Sequence, residues 1–344
     1  MASSRRTGTN ENVSTYGAGG FGRDYTSLAT WESATDNDLV SAAQSEILEC
    51  YDDAANFDDR VTLSGATTSA AYFRIIRPAG TKGDASWQGH DGVPDVGVTF
   101  TTSSGIGFLV SGEDYVSIQD LIFDSVDNDT CETDSGDYNS WVGLILVDCL
   151  GRGINISGGV DNVVVNCIVI RQDEHPFLAD TDDCYFYNCT AIDSVTGRGF
   201  NEFSVDPTWI NCLGDGNFDD DFDGGSALLE ENNASGDATA AGTGSRINQT
   251  FTFANAAGDD YNLASTDAGA RNYGQDLSSD SIFPFDDDIR WQTRPGESVW
   301  DIGASEYVPD SGPDLTDING ILAANINDIN TVDFADISDV NGVG

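Results

Sequence analysis

The sequence predicts an all-β solenoid, a parallel β-helix, and three observations predict it. A short phrase returns five times between Asp114 and Gly214: Tyr115-Val-Ser-Ile-Gln-Asp120, Gly143-Leu-Ile-Leu-Val-Asp-Cys149, Asn162-Val-Val-Val-Asn-Cys167, Cys184-Tyr-Phe-Tyr-Asn-Cys189 and Pro207-Thr-Trp-Ile-Asn-Cys212. Each copy is rich in β-branched and aromatic residues, and no run carries a 3.6-residue apolar period. The composition, 38 glycines with 39% hydrophobic residues, fits a turn-rich β protein better than a helical one. The polar residues aligned near the end of each phrase are Gln119, Asp148, Asn166, Asn188 and Asn211, at separations of 29, 18, 22 and 23. A phrase recurring at roughly 20 residues marks a stack in which each repeat is one structural turn.

Stacking sets the Asn residues above one another, so their amides are expected to pair as a ladder, with the following cysteines in a second column. The wider first step assigns Asp127–Ser140, an acidic stretch, to an insertion bulging from one turn. Cys149, Cys167, Cys189 and Cys212 fall on the repeat, and seven cysteines make an odd count; buried free thiols explain that placement better than disulfides.

Before the repeat, residues 1–24 are polar and Gly-rich and read as a flexible arm, or one ordered only against a partner. Tyr25–Glu32 reads as a short helix capping the open end of the solenoid, where bare strand edges invite aggregation. Ile47–Tyr51, Val61–Ser64, Tyr72–Arg77, Val98–Thr101 and Gly107–Val110 read as early strands, interrupted by a loop over Pro78–Asp95 that holds Trp87 and His90. His90 and His175 both read as loop surface residues. After Gly214 the pattern dissolves into Asp-, Gly- and Ala-rich sequence as far as Gly244, a surface excursion or an irregular turn. The solenoid is assigned to 25–308, a Pro-bounded linker to 309–314 and a small module to 315–344. In that module Leu315-Thr-Asp-Ile-Asn-Gly-Ile, Ile326-Asn-Asp-Ile-Asn-Thr-Val and Ile337-Ser-Asp-Val-Asn-Gly-Val recur, and Asn-Gly pairs argue for turns and short strands. About 30 residues cannot bury their own apolar stripe. Ile318, Ile321, Ile326, Ile329, Val332 and Phe334 are therefore expected to serve assembly or attachment.

Charge narrows the partners. Fifty-nine acids face 14 bases, a net charge of −45, and Lys82 is the sole lysine. Such a chain is repelled by nucleic acid and by anionic membranes, and suits saline surroundings. No run reaches transmembrane length. The first 20 residues carry two arginines but no apolar core, so synthesis in a cytoplasm without a secretory signal is expected.

Two stretches carry candidate chemistry. Asp219-Asp-Asp-Phe-Asp-Gly-Gly-Ser-Ala-Leu-Leu-Glu230 matches a calcium-loop pattern: Asp219, Asp221 and Asp223 offer oxygens, Gly224 permits the turn and Glu230 closes the shell. Against it, Ser226 stands where such loops carry an aliphatic residue and neither flank reads as a helix, so a solvated acidic loop is the alternative. Calcium is the one cofactor considered, and none is required. Arg171-Gln-Asp-Glu-His175 leaves the repeat near Glu202 of the next turn, making Glu174, His175 and Glu202 the catalytic candidates, on the two-carboxylate logic of glycoside hydrolysis. A lyase base is disfavoured by the scarcity of lysine.

Asp259-Asp-Tyr-Asn-Leu-Ala264, Thr266-Asp-Ala-Gly269, Arg290, Arg294 and Trp300-Asp-Ile-Gly-Ala-Ser-Glu-Tyr307 occur in that order. The series resembles the closing segment of right-handed parallel β-helix proteins and, with the repeats, covers about half the chain. It implies a fold, since that group contains lyases, hydrolases, adhesins and viral spikes. Asp24-Tyr-Thr-Ser-Leu-Ala-Thr-Trp-Glu32, Asp38-Leu-Val and Glu49-Cys-Tyr-Asp52 resemble β-helix proteins of phages and aquatic bacteria, and the tail is similar to termini of marine phage structural proteins. These resemblances imply a structural or adhesive virion component (tail fibre, tailspike or capsid decoration). It would be a homo-oligomer, trimeric by analogy with fibres and spikes, meeting other virion proteins and a host surface glycan, and acting by assembly and surface binding rather than as an enzyme. A polysaccharide hydrolase or lyase and a self-assembling extracellular filament subunit are the alternatives.

Overall fold

The computed structural model describes residues 3–54, 56–203, 207–223, 229–309, 317–318 and 321–322. Residues 1–308 and 309–344 form two separate units. The first is a parallel β-solenoid of about six turns with very little helix. Its parallel strands fall into three sheets, and Phe253–Asn255 and Asp260–Leu263 form a separate antiparallel pair. The first holds Glu11–Tyr16, Ser45–Cys50, Arg74–Pro78, Ser117–Gln119, Ser140–Val142, Asn162–Val165, Cys184–Tyr187, Thr208–Ile210 and Leu229–Glu231. The second holds eight strands, from Phe57–Asp58 to Ala234–Ser235, and the third six, from Val61–Leu63 to Phe200–Glu202. The chain visits first, second and third sheet in turn. One turn therefore spans 23 residues, as between Ser117 and Ser140 or Asn188 and Asn211.

Three short strands per turn need sharp corners, and left-handed backbone supplies them. Tyr115, Tyr138, Asp161 and Asp183 take positive φ before the first sheet. Asp120, Gly143, Asn166, Asn188, Asn211 and Asn232 do so between the first and second, and Ser125, Asp148, Arg171 and Asp193 after the second. Asn, Asp and Gly tolerate this region best, which is why the phrase ends in them. Register thus corrects the alignment of the repeat. Gln119 lies beside Val142 and Val165, so the Asn column continues through Gly143 and Asp120, not Asp148. Asp148 belongs to the next corner, and Cys149 is not in the column of Cys167, Cys189 and Cys212. Asp127–Ser140 is no insertion either: it contains the third-sheet strand Cys131–Ser135. An Asp-Cys pair at the wrong corner imitates the Asn-Cys pair, and the acidic polar sequence hid the strand.

Alternate residues of each strand fill the interior. Ile118, Trp141, Val164, Phe186 and Trp209 stack from turn to turn, with Phe108, Phe177 and Phe200 facing them from the third sheet. The seven cysteines are buried and unpaired. Those of the column donate to main chain of the preceding turn, Cys189 Sγ to Val164 O at 3.5 Å and Cys212 Sγ to Phe186 O at 3.4 Å. Leu28–Thr35 is a helix with Leu28 and Trp31 in the interior, packed on Val61–Leu63. Asp59 rather than a local Ser or Thr accepts its first N–H, Leu28 N, at 2.8 Å.

The outer faces are also covered over much of the length. Residues 251–307 fold back along the solenoid. Leu277, Phe283, Phe285 and Trp300 cover Val142, Val163, Val165, Tyr187 and Ile210 of the first sheet. Tyr261, Leu263, Ile289 and Ile302 cover Ile122, Ile145, Ile168, Ile170 and Ile192 of the second. The Asn column lies at the corner between these sheets and holds the segment. Asn166 Nδ2 donates to Asp287 O at 3.0 Å, Asn188 Nδ2 to Asp301 O and Gly303 O at 3.3 Å, and Asn211 Nδ2 to Gln275 O at 2.9 Å. One axial amide pair is present, Asn211 Nδ2 to Asn188 Oδ1 at 3.2 Å, so the column is chiefly an anchor and only partly a ladder. The closing motif is a buried polar knot. Arg294 donates to Glu306 at 3.0 Å and to the carbonyls of Gly303 and Ala304 at 2.9 Å, while Asp301 accepts the main-chain N–H groups of Asn272 and Tyr307.

The N-terminal segment is not a free arm. Glu11–Tyr16 is the outermost strand of the first sheet, paired in register with Ser45–Cys50, and Ser4 and Arg5 are buried against Asp287 and Asp120. Few apolar residues lie there because main-chain pairing and ion pairs, not a hydrophobic face, fix it. After Gly214 the last turn is irregular, with strands Leu229–Glu231 and Ala234–Ser235. In the second unit Asp317–Ile318 and Ile321–Leu322 pair antiparallel. Ile326, Ile329, Val332 and Phe334 lie outside the described residues. No helix among the described residues is long and apolar enough to cross a membrane.

Candidate functional site

The three catalytic candidates occupy different faces. Glu174 stands outside, 3.6 Å from Arg152 Nε, with half its side chain exposed. His175 is half-buried, its Nδ1 accepts the Arg198 N–H at 3.0 Å, and burial holds it below the usual imidazole range, so the ring is neutral at pH 7. Glu202 pairs in register with Ala179, an interior position, so its carboxylate points into the solenoid. Glu174 and Glu202 therefore do not flank one substrate position.

Glu202 has a different neighbour. Glu230 pairs in register with Trp209, also an interior position, so two carboxylates enter the last turn from the third and first sheets. Burial, with Glu202 and Asp223 adding repulsion, pushes the half-buried Glu230 up to about 7. The sequence hides this pairing because the two residues sit on different strands with the last irregular turn between them.

The calcium-loop residues are engaged separately. Asp221 is buried and accepts Asn217 Nδ2 at 2.8 Å and the Gly236 N–H at 2.8 Å. Asp223 is 3.2 Å from Arg198 Nη1, Glu230 accepts the Ala241 N–H at 3.2 Å, and Asp219 is exposed. Among the described residues no group of three or more His, Cys, Asp or Glu side chains converges as a metal shell. Phe222 is the interior residue between them; Asp221 is buried by its bonds to Asn217 and Gly236 while Asp223 stays half-buried beside Arg198, which the spacing pattern alone does not reveal, and Gly224 and Ser226 lie outside the described residues.

The site with the most built-in chemistry lies on the outer face of the first sheet near its N-terminal end. Register places Thr15, Glu49 and Arg77 in one outward column, and Gln119 follows next. Around that column is a cleft of about 490 Å³, lined also by Arg5, Arg6, Tyr51, Lys82, Trp87, Asp120 and Trp291. Its volume falls within the ~300–1,000 Å³ of small-molecule sites. Four of the chain's 14 basic residues line it, against the acids Glu49 and Asp120, a local balance of +4 − 2 = +2 in a chain of −45.

Each wall is fixed. Arg5 is a buried strut: Nη2 is 2.6 Å from Asp120, Nη1 donates to Asp288 O at 2.8 Å, and the guanidinium lies 4.8 Å over the Trp291 ring. Trp291 takes φ +65°, a left-handed conformation rare for a bulky residue, held by Nε1 donating to Asp120 at 3.2 Å and its N–H to Asp288 O at 3.0 Å. It meets Trp87 edge-on at 5.4 Å. The loop bearing Trp87 is pinned by His90, which is buried rather than a surface residue. Burial pushes its imidazole down to about 4, and the neutral ring bonds Gly143 O through Nε2 at 2.7 Å and accepts the Gly92 N–H at 3.1 Å. Lys82 Nζ donates to His90 O at 2.7 Å, pairs with the exposed Asp91 and lies 5.5 Å over the Trp87 ring. Arg77 pairs with Glu49 at 3.2 Å and stays a quarter exposed.

Arg6 differs from these. Its Nη1 donates to Tyr138 O at 2.9 Å and its guanidinium stacks 5.2 Å over Phe283, but no carboxylate among the described residues lies within ion-pairing distance. Burial without a carboxylate pushes it down to about 10. A second hollow, about 770 Å³ along the third sheet, is lined by Glu32, Asp59, Arg60 and Leu109 with no aromatic ring. The sequence offered no signal for the cleft, since its cations come from two distant segments, residues 5–6 and 77–82. No family model, curated protein or solved structure matches this chain.

Proposed function

We propose that the protein is a structural and adhesive solenoid that works by binding surface glycan, and that the rigid cationic and aromatic cleft of the first sheet is its binding face. The observation that carries this reading is the pair Trp87 and Trp291, held edge-on in the lining of a hollow where cations outnumber acids, in an acidic chain. Sugar rings stack on aromatic faces, and their hydroxyls and acids suit guanidinium and ammonium donors. The setting proposed is a bacteriophage particle, as fibre, spike or decoration, and it rests on the likeness of the Asp24–Glu32 phrase and of the tail whose repeats start at Leu315, Ile326 and Ile337, steps of 11 residues. Assembly into a homo-oligomer through residues 309–344 belongs to the same proposal, as does contact with other virion proteins.

A hydrolase is the second reading, favoured by Glu202 and Glu230 entering the last turn together, with Glu230 poised near neutrality. One experiment separates the two: incubate the full chain with host surface glycans, then measure retention and new reducing ends. Retention without cleavage is the expected result. New reducing ends that vanish in Glu230→Gln would replace adhesion by hydrolysis.

A further inference from the structure

We infer that the cleft takes a sugar ring bearing an acidic group, a carboxylate or a sulfate, with the acid on Arg6 and Lys82 and the ring against Trp87. The inference rests on the adhesive reading and names its ligand. Three observations lead to it.

First, Arg6 is a half-buried guanidinium whose only acceptor among the described residues is a main-chain one, Tyr138 O, in a chain where acids outnumber bases by 59 to 14. Leaving such a cation without a carboxylate is costly, and an incoming anion removes that cost. The other three cations are held by partners: Arg5 by Asp120 and Asp287, Arg77 by Glu49 and Glu11, Lys82 by Asp91 and His90 O. They supply positive potential and, at Lys82, a third ammonium hydrogen.

Second, the rings are prearranged. Trp291 sits in a left-handed conformation secured by Asp120 and Asp288, and Trp87 rides on a loop locked by buried His90. Rings fixed before binding lose little freedom when a ligand stacks on them.

Third, the field limits the ligand. A net charge of −45 repels polyanions at long range, while the cleft attracts one acid at contact distance. That selects a glycan with spaced acids over a nucleic acid.

Lys82, the sole lysine, gives a direct probe. Reductive ¹³C-dimethylation of the full chain yields one side-chain dimethylamine signal, and calorimetry on the unmodified chain checks the affinity. The titrants are a galacturonate disaccharide, a galactose 6-sulfate disaccharide, the neutral galactose disaccharide and an oligonucleotide. The expected result is a saturable shift of the Lys82 signal with the uronate, the sulfate or both, weakened by salt, and none with the neutral sugar or the oligonucleotide. Arg6→Gln and Trp87→Ala should each weaken binding about tenfold, the size of one charged hydrogen bond or one stacked ring. Arg60→Gln, a cation in the hollow without rings, should leave it unchanged. If the chain retains host glycans but binds neither acidic disaccharide, the ligand assignment fails and adhesion stands. If it retains no glycan at all, both fail. Equal affinity for the neutral sugar, or binding unaltered in Arg6→Gln, also overturns the assignment.

Discussion

One outward column of the first sheet changes character halfway along its length. Thr15, Glu49, Arg77 and Gln119 are polar and line or border the cleft; Val142, Val165, Tyr187 and Ile210 continue the same column and are apolar. The strands are otherwise alike in direction, register and interior packing. What differs is the cover. Residues 277–300 lie over the second half and turn it into core, whereas the first half stays open as a cleft walled by Arg5, Arg6, Lys82, Trp87 and Trp291. A β-solenoid thus uses one surface in two ways, as a packing face where side chains are apolar and as a binding face where they are charged. On the proposed function, stability belongs to the covered half and recognition to the open one.

Substitutions in the two halves should separate these roles. The largest effect is expected from Trp300→Ala, which empties buried space beside Phe285 in the cover of the first sheet. It should cost about 3–5 kcal/mol in denaturant unfolding, with the cleft's ligand affinity retained under native conditions. A loss under about 1 kcal/mol would mean that the segment lies loosely on the sheet. Next come the polar anchors. Asn188→Ala removes donors to Asp301 O and Gly303 O and puts Ala in a left-handed corner, for a cost of about 1–3 kcal/mol, partly restored by Asn188→Gly. Asp221→Asn should destabilise by a similar ~1–3 kcal/mol, equally with calcium and with chelator, since the carboxylate serves main-chain N–H groups. A destabilisation seen only with calcium would support the metal reading.

A smaller effect is a slope of stability with pH. Burial and Glu306 push Asp301 up to about 7, above the ~4 of an unfolded aspartate. The folded state then holds a proton that the unfolded chain has lost, so the stability tied to this group is present below pH ~4 and fades as pH rises through 7. Melting temperatures measured across that window should show a shallower decline for Asp301→Asn than for the unaltered chain. Parallel profiles would show that Asp301 does not titrate there. The smallest stability change is expected for Arg77→Ala in the open half, under about 1 kcal/mol because its pairs with Glu49 and Glu11 are partly solvated.

How far the sequence discloses this division depends on the residue. The solenoid was legible because the β-branched run Val163, Val164 and Val165 favours a strand, and because corner residues such as Asn166, Asn188 and Asn211 recur once per turn. The continuous apolar run itself signals a strand buried on both faces, yet it does not say what lies over it. That cover comes from residues more than 100 positions away. Asp148-Cys149 misled because it repeats the corner chemistry one corner later. His90 looked like a surface residue because nothing local shows that Gly143 O awaits it. The cleft was not legible: Arg5, Arg77, Trp87 and Trp291 meet only once the closing segment folds back. Glu202 stood out as an acid, but its partner Glu230 is placed by pairing with Trp209 across an irregular turn.

Hydrogen exchange of the full chain, with and without host surface glycan, tests the division of the column most directly. Protection is expected at residues 3–16, 74–92 and around Trp291, with no change over 140–215 and no release of reducing ends. Protection centred on residues 198–231, accompanied by cleavage, would contradict it and move function to the carboxylates of the last turn.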